Sequence, residues 1–289
     1  MNRDILSVIQ SQMPTFSKGQ KLIANYILQS YDKAAFMTAS KLGKTVKVSE
    51  STVVSLAADL GYDGYPAMQR TLQEMIRNKL TSIQRIEVAD DRMGSHDILS
   101  MVMHSDMEKL RMTLEQIDRE AFDGAVQDIV KAKRIYLIGV RSAGAISTFL
   151  AFYFNLIFDN VTHVTAASAS EMFEQLLRVG EDDVVIGVSF PRYSRRTVQA
   201  LRFARDRKAT VIAVTDSAAS PLAESATHTL LAKSDMASFA DSLVAPLSLI
   251  NALIMAVGRK KKEDLHHTFE SLEEIWEEYE VYEKVDHES

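Results

Sequence analysis

No cysteine occurs among the 289 residues. Its absence removes disulfides, zinc–thiolate sites, iron–sulfur clusters and a cysteine nucleophile together. No apolar run approaches the ~18 residues that a membrane helix requires. The opening stretch, MNRDILSVIQSQMPTF, is amphipathic with polar residues throughout, unlike a signal peptide. A soluble, cytoplasmic protein with no membrane partner is expected. Internal repeats and low-complexity tracts are also missing. So are the common nucleotide and nucleophile signatures. Arg141 stands at the second glycine position of a dinucleotide fingerprint after Gly139, and the same loop lacks the Gly-Lys-Ser/Thr ending of a P-loop. Gly187-Val188-Ser189 lacks the trailing glycine of a nucleophile elbow. The seven histidines are scattered, and His266 and His267 point to different sides of a helix, so neither a metal site nor a cofactor is expected.

What is present is a chain long enough for two compact units, with 46% hydrophobic residues to build their cores. The net charge of −6 argues against a surface that coats nucleic acid everywhere. It hides an asymmetry, because residues 1–85 carry +5 and the remainder −11. Such a split points to a nucleic-acid-facing segment on an acidic body.

The first 80 residues read as short helices. Ser17-Lys18-Gly19-Gln20 has the Ser-x-x-Gln form of a capping box, followed by Leu22, Ile23, Tyr26 and Ile27 as one buried face. Thr38 can cap a second helix carrying Leu42, and Ser49 a third carrying Val53, Val54, Ala57 and Leu60. Gly61 ends the third, and Tyr65-Pro66 opens another to about Leu80. The two helices flanking Val46-Lys47-Val48 make a helix-turn-helix candidate, with Ser49–Leu60 as recognition helix. The periodicity weakens over Thr81–Ser95, where a linker is placed. Domains are expected at 1–80, with a linker and connecting helix at 81–106 and the body at 107–289.

The body alternates strand and helix. Strands are expected at Arg134–Ile138, Val161–Val164, Val184–Ser189, Thr210–Thr215 and His228–Leu231, with helices near 142–157, 169–179, 194–208 and 218–225 and two more at 241–257 and 263–284. Short apolar strands between helices read as a parallel sheet covered on both faces. Ligands of such sheets bind where strand ends meet helix starts. Gly139-Val140-Arg141-Ser142-Ala143-Gly144 is one polar loop of that kind, with small residues for close backbone approach. Ser189-Phe190-Pro191-Arg192-Tyr193-Ser194-Arg195-Arg196-Thr197 is another, rich in anion donors, and Thr215–Leu222 is a third. Glu171, with Ser170 as its helix cap, is the best acid for an isomerase-type reaction, ahead of His163. The helix Ser142–Phe158 is apolar on nearly every side, so it should be buried all round, in the core and against another subunit.

Both halves together resemble the RpiR-type (MurR/RpiR) family of bacterial transcriptional regulators. The resemblance rests on Phe16–Leu28, Val48–Val54 and Leu60–Pro66 in the head, and on Gly139–Ser142, Ser189–Arg195, Thr215–Ser217 and Ser220–Ala223 in the body. It implies an α/β fold class: an all-α helix-turn-helix domain followed by a three-layer α/β/α sugar isomerase (SIS) domain with a five-stranded parallel sheet. It also implies a non-enzymatic regulator of sugar metabolism that binds a duplex DNA operator, senses a phosphorylated sugar and forms a homo-oligomer, dimer or tetramer. Lys41, Lys44, Lys47, Ser49, Glu50, Ser51, Thr52 and Ser55 would face DNA, and Gly139, Val140, Arg141, Ser142, Glu171, Ser189, Phe190, Arg192, Tyr193 and Ser194 the effector. The chain departs from the family at Ser55, where relatives commonly carry arginine, and at Ala143, where many have a second serine. Lys47 sits where relatives use glycine or asparagine, and a left-handed backbone there would cost a lysine about 1 kcal/mol. The rival reading is a sugar-phosphate isomerase or lyase using Glu171.

Overall fold

The computed structural model describes residues 5–76, 83, 86, 97–234 and 240–283. The linker expected at 81–95 lies outside them except for Ile83 and Ile86. The chain divides into two compact units, Met1–Ile98 with Met236–Asp241, and Leu99–Asp235 with Ser242–Ser289.

In the head, helices α1 (Ile5–Gln12), α2 (Lys18–Gln29), α3 (Tyr31–Ala34), α4 (Ala39–Val46), α5 (Glu50–Asp59) and α6 (Tyr65–Ile76) enclose one core. Their starts follow local chemistry. Ser17 forms the full capping box with Gln20, and Thr38 and Ser49 accept from the amides of Lys41 and Thr52. Ile9, Ile23, Ile27, Leu42, Leu56, Met68 and Leu72 are all buried. Leu22, expected on the same face as Ile23, is instead 48% exposed, because one residue's 100° step turns it off the narrow contact stripe of α2. Helix α6 is tied down by polar side chains. The Tyr65 hydroxyl and Gln69 Nε2 both donate to the Met37 carbonyl, at 2.7 and 2.8 Å, and Gln73 donates to Ala35 O. Burial pushes the Tyr65 phenol upward, so it stays a donor at any physiological pH.

The body begins with α7 (Ile98–Gln116) and α8 (Arg119–Lys131), then runs β1 (Arg134–Gly139), α9 (Ser142–Ile157), β2 (Val161–His163), α10 (Ala169–Gln175), β3 (Asp183–Val188), α11 (Arg195–Asp206), β4 (Thr210–Thr215), β5 (His228–Leu231), α12 (Val244–Lys260) and α13 (Lys262–Glu278). All five strands are parallel, in the order β2-β1-β3-β4-β5, with Tyr136 beside Val185 and Val185 beside Val211. Alternate residues feed opposite layers. Ile135, Leu137 and Ile186 pack with α8, α9 and α12, whereas Tyr136, Ile138 and Val185 pack with α10 and α11. Two expectations fail here. The helix foreseen near 218–225 is only a 3₁₀ turn, Ala223–Ser225, since the Ser217 and Ser220 hydroxyls accept from the Ala219 and Ala223 amides in turns and Pro221 has no amide to donate. The helix at 169 ends by Gln175 instead of 179.

Arg134 closes the base of the sheet. Its Nε and Nη2 reach the two carboxylate oxygens of Asp183 at 3.0 and 2.8 Å, and the Gly180 amide also donates to Asp183. The Asp183 side chain has no exposure, so Arg134→Met leaves a buried carboxylate with a single donor. Because Arg134 is itself 35% exposed, the expected loss is about 2 kcal/mol, less than for a fully buried pair. Chemical denaturation measures it, and adding Asp183→Asn to the same chain should recover most of the loss.

Candidate functional site

Helices α4 and α5 and the turn between them form the helix-turn-helix of the head. Lys47 adopts φ 59°, ψ 45°, the left-handed conformation foreseen for this turn, and its neighbour Val48 donates from its amide to Gly43 O at 2.9 Å. The turn also explains Gly43, a glycine inside a helix. A Cβ there would lie 2.9 Å from Val48 O. On the surface of this unit Lys41, Lys44, Lys47, Ser49, Glu50, Ser51 and Ser55 are exposed and Thr52 is half-buried. Ser49 Oγ lies 2.8 Å from both Ser51 Oγ and Thr52 Oγ1, so three hydroxyls cluster at the start of α5, where the free amides favour an anion. Ser55, one turn on, is within 3.5 Å of the Gln20 amide nitrogen of α2.

In the body, the order β2-β1-β3-β4-β5 reverses direction between β1 and β3. Chain connections leave β1 and β3 toward opposite faces, which opens a crevice beyond their carboxyl ends. The loop after β1 and the loop after β3 flank that crevice. In the first, Gly139 has no room for a side chain, since a Cβ would sit 2.5 Å from Ala143 O and 2.9 Å from Ser147 Oγ. Arg141 takes φ 59° and Ser142 opens α9, and both are exposed. In the second, the buried Ser189 accepts from the Ser194 amide at 3.0 Å, and Ser194 caps α11. The amides at the start of a 12-residue helix thus face outward beside two hydroxyls.

The structure separates the expected ligand residues. Gly139, Val140, Arg141, Ser142, Ser189 and Ser194 lie in the two crevice loops. Arg192 is exposed in the second loop. Phe190 is buried in the apolar core, so its side chain does not face a ligand. Tyr193 donates its hydroxyl to Asp216 Oδ1 at 2.8 Å, linking the second loop to the third. Glu171 follows β2, and its cap is Ser168, not Ser170, because Ser168 Oγ accepts from the Glu171 amide. The Glu171 carboxylate in turn accepts from the Ala167 amide at 2.8 Å.

Three buried polar residues not named individually as ligand contacts stand at these loops, and two of them, Thr197 and Asp216, fall in polar loops singled out from the sequence. Thr197, in the first turn of α11, is fully buried, and its hydroxyl has no hydrogen-bond partner among the described residues. Ser147, also fully buried, donates to Gly144 O and lies 3.0 Å from His163 Nε2, beneath the first loop. Burial holds His163 below the ordinary imidazole range, so it is neutral there. Asp216 is 3% exposed and takes the Tyr193 hydroxyl. Thr197 was signalled by its place three residues after the Ser194 cap. Asp216 was signalled by its place in the third polar loop, whereas Ser147 gave no signal, because its partner His163 is remote in sequence.

Comparison with known proteins settles the family. A family model described as the helix-turn-helix domain of the rpiR family matches residues 3–79, and the SIS domain model matches residues 128–256. The chain belongs to the RpiR-type family of transcriptional regulators. This RpiR-type chain is 26% identical to the HTH-type transcriptional regulator HexR of Escherichia coli K12 over 286 residues, covering 94% of this chain and 95% of the other. It is 22% identical to an uncharacterized HTH-type transcriptional regulator of Caldanaerobacter subterraneus over 277 residues, covering 94% and 96%. Among solved structures, the sugar isomerase domain of an RpiR transcription factor from Sphaerobacter thermophilus superposes with a TM-score of 0.59 at 28% identity, over 62% of this chain and 99% of that one. The NanR protein of Vibrio vulnificus complexed with ManNAc-6P gives a TM-score of 0.58 at 24% identity, over 94% and 97%. Among the described residues, no helix is long and apolar enough to cross a membrane.

Proposed function

We propose that this RpiR-type regulator binds a phosphorylated sugar in the β1/β3 crevice and reports it through DNA binding by the head, without turning the sugar over. The observation that carries the ligand reading is the pairing of two helix N-termini across the topological switch point, with the buried, unpartnered Thr197 hydroxyl at one of them. A phosphate seated there accepts from the α11 amides, Ser189, Ser194 and Thr197, while the α9 start, Ser142 and Arg141 meet the sugar. The phosphosugar in the NanR structure is of this chemical class. Lys41, Lys44 and Lys47 neutralise DNA phosphates, and Ser49–Thr52 approach base edges. Operators of this kind are read as paired half-sites, so the active species is a dimer or tetramer in the cytoplasm.

The isomerase alternative is disfavoured at Glu171. One oxygen of its carboxylate is committed to the Ala167 amide, so it closes its own helix start instead of standing as a free base. A panel of hexose 6-phosphates, ManNAc-6P included, tests the reading by thermal shift, since a ligand at about 100 times its Kd stabilises the native state by ~2.7 kcal/mol. Ser189→Ala should weaken that ligand about tenfold and leave operator affinity without sugar unchanged, so about tenfold more sugar is needed for the same response of DNA binding. Linkage makes any coupling reciprocal, so DNA must shift sugar affinity by the same factor. Turnover of the sugar that disappears in Glu171→Gln would overturn the non-catalytic reading.

A further inference from the structure

Helix α7 is joined to the rest of the body by polar bonds. Among the described residues no α7 side chain belongs to the apolar core of the body, and Ile117, just past its end, packs there instead. The inward face of α7 carries Asp106, Lys109 and Thr113, at three- and four-residue spacing, with Lys109 and Thr113 buried and Asp106 half-buried. Lys109 Nζ pairs with Asp106 at 3.1 Å, Ser242 Oγ donates to Asp106 at 2.7 Å, and Ser234 Oγ donates to Ser242 O at 3.3 Å. The Lys233 amide, beyond the end of β5, donates to Thr113 Oγ1 at 2.9 Å. This cluster stands where the chain passes between the two compact units. The divisions fall at Ile98–Leu99, in the first turn of α7, and at Asp235–Met236 and Asp241–Ser242. Helix α7 follows the first passage, and Ser234 and Ser242 bracket the other two.

We infer that this polar seat carries the effector signal out of the crevice, with Thr113 and Asp106 as positioning residues that touch neither sugar nor DNA. This rests on the phosphosugar reading above and specifies its route. Bonds run from the second crevice loop to α7 without a gap. Ser189 donates from its amide to Val214 O at 3.2 Å. Tyr193 of the same loop holds Asp216, the residue after β4, at 2.8 Å. Thr215, between Val214 and Asp216, takes the Ala232 amide on its carbonyl at 2.8 Å, and the next amide, that of Lys233, is the one on Thr113. Strands β3 and β5 are two strand spacings apart, about 10 Å, so the route is short. Its last link is also sharp. Apolar packing lets a helix slide, whereas a hydrogen bond fails once donor and acceptor separate beyond about 3.5 Å. A displacement of about 0.6 Å at the end of β5 therefore seats or frees α7, which gives the seat two discrete arrangements. A sugar that favours one of them biases α7, and through α7 the connection to the head.

The measurement is the ratio of DNA affinities with and without saturating sugar, in the full chain. Its probes are a duplex selected from a random pool by the wild type and the panel of hexose 6-phosphates with ManNAc-6P. Such ratios run from about 5- to 150-fold. Thr113→Val keeps the shape and removes the acceptor. It should lower the ratio about threefold or more, while sugar affinity without DNA and DNA affinity without sugar each stay within about twofold of wild type. Thr113→Ser keeps an acceptor and should restore the ratio. Ser242→Ala, which removes the donor to Asp106, should lower it too and serves if Thr113→Val proves unstable. Tyr193→Phe should also lower it, and adding Thr113→Val should lower it no further, because two breaks in one series act as one. Arg202→Met, which removes a surface pair with Glu224 off the route, should leave the ratio unchanged. A wild type whose DNA affinity ignores every sugar of the panel would overturn the sensing reading and this route together. A responsive wild type whose response persists in full in folded Thr113→Val and Ser242→Ala would overturn this route alone.

Discussion

Reversing two charges in the turn, Lys44→Glu with Lys47→Glu, should weaken DNA binding by about 100-fold at 0.1 M salt and leave the protein folded. Both side chains are exposed, and neither has a resolved ion-pair partner among the described residues. Each phosphate contact contributes about 0.9 to the slope of log K against log salt, which near 0.1 M is close to a factor of ten per contact. Two lost contacts therefore flatten the slope by about two and cost two decades, and the difference fades toward 1 M salt. Lys47→Gly separates charge from conformation. It removes one contact, so affinity falls about tenfold, yet it relieves the left-handed strain of about 1 kcal/mol and should raise the unfolding temperature. Lys131→Glu, on an exposed position of α8, is the control for net charge alone. Affinity that is insensitive to salt, or a double variant that binds as wild type, would remove these lysines from the DNA interface.

How far the sequence carries depends on how local each determinant is. The caps Ser17, Thr38 and Ser49 were legible because their partners lie within four residues, and the left-handed Lys47 only through the resemblance, whose members place glycine or asparagine there. The five strands were legible because a doubly covered parallel sheet needs short continuous apolar runs. Strand order was not, since nothing within β1 states that β3 rather than β4 lies beside it, and the crevice depends on that order. Phe190 illustrates the cost. As part of a polar loop it read as a ligand contact, but alternation along the strand end sends its side chain into the core. The apolar α9 was expected to be buried all round. In this chain Phe152 is 62% exposed, while Ile146, Leu150 and Phe154 on the opposite side are buried. Composition counts apolar residues without saying which of them a single subunit covers.

Gly139→Ala should be among the most damaging single substitutions in the body, with a loss of about 3 kcal/mol, and Gly139→Val more so. The added Cβ would lie 2.5 Å from the Ala143 carbonyl oxygen, 3.0 Å from the Ala143 carbonyl carbon and 2.9 Å from Ser147 Oγ. Backbone in the first turn of a packed helix cannot swing aside as the tip of a long side chain can. The turn between β1 and α9 must open instead, which displaces the α9 amides and strains the Ser147 bonds to Gly144 and His163. Ligand binding should fall with stability, by at least tenfold at a temperature where the variant is still folded, because a displaced cradle loses several hydrogen bonds at once. Two other glycines of the body supply the contrast. At Gly144 a Cβ meets Gly139 O at 3.4 Å and Gly139 C at 3.9 Å, both ordinary contacts, and at Gly180 it meets nothing within 4 Å, so alanine at either site should be nearly neutral or slightly stabilising. Thermal denaturation of the three alanine variants, with phosphosugar titration of each, measures the difference. If Gly139→Ala matched Gly144→Ala in both, the close approach of strand and helix would not be what shapes this crevice.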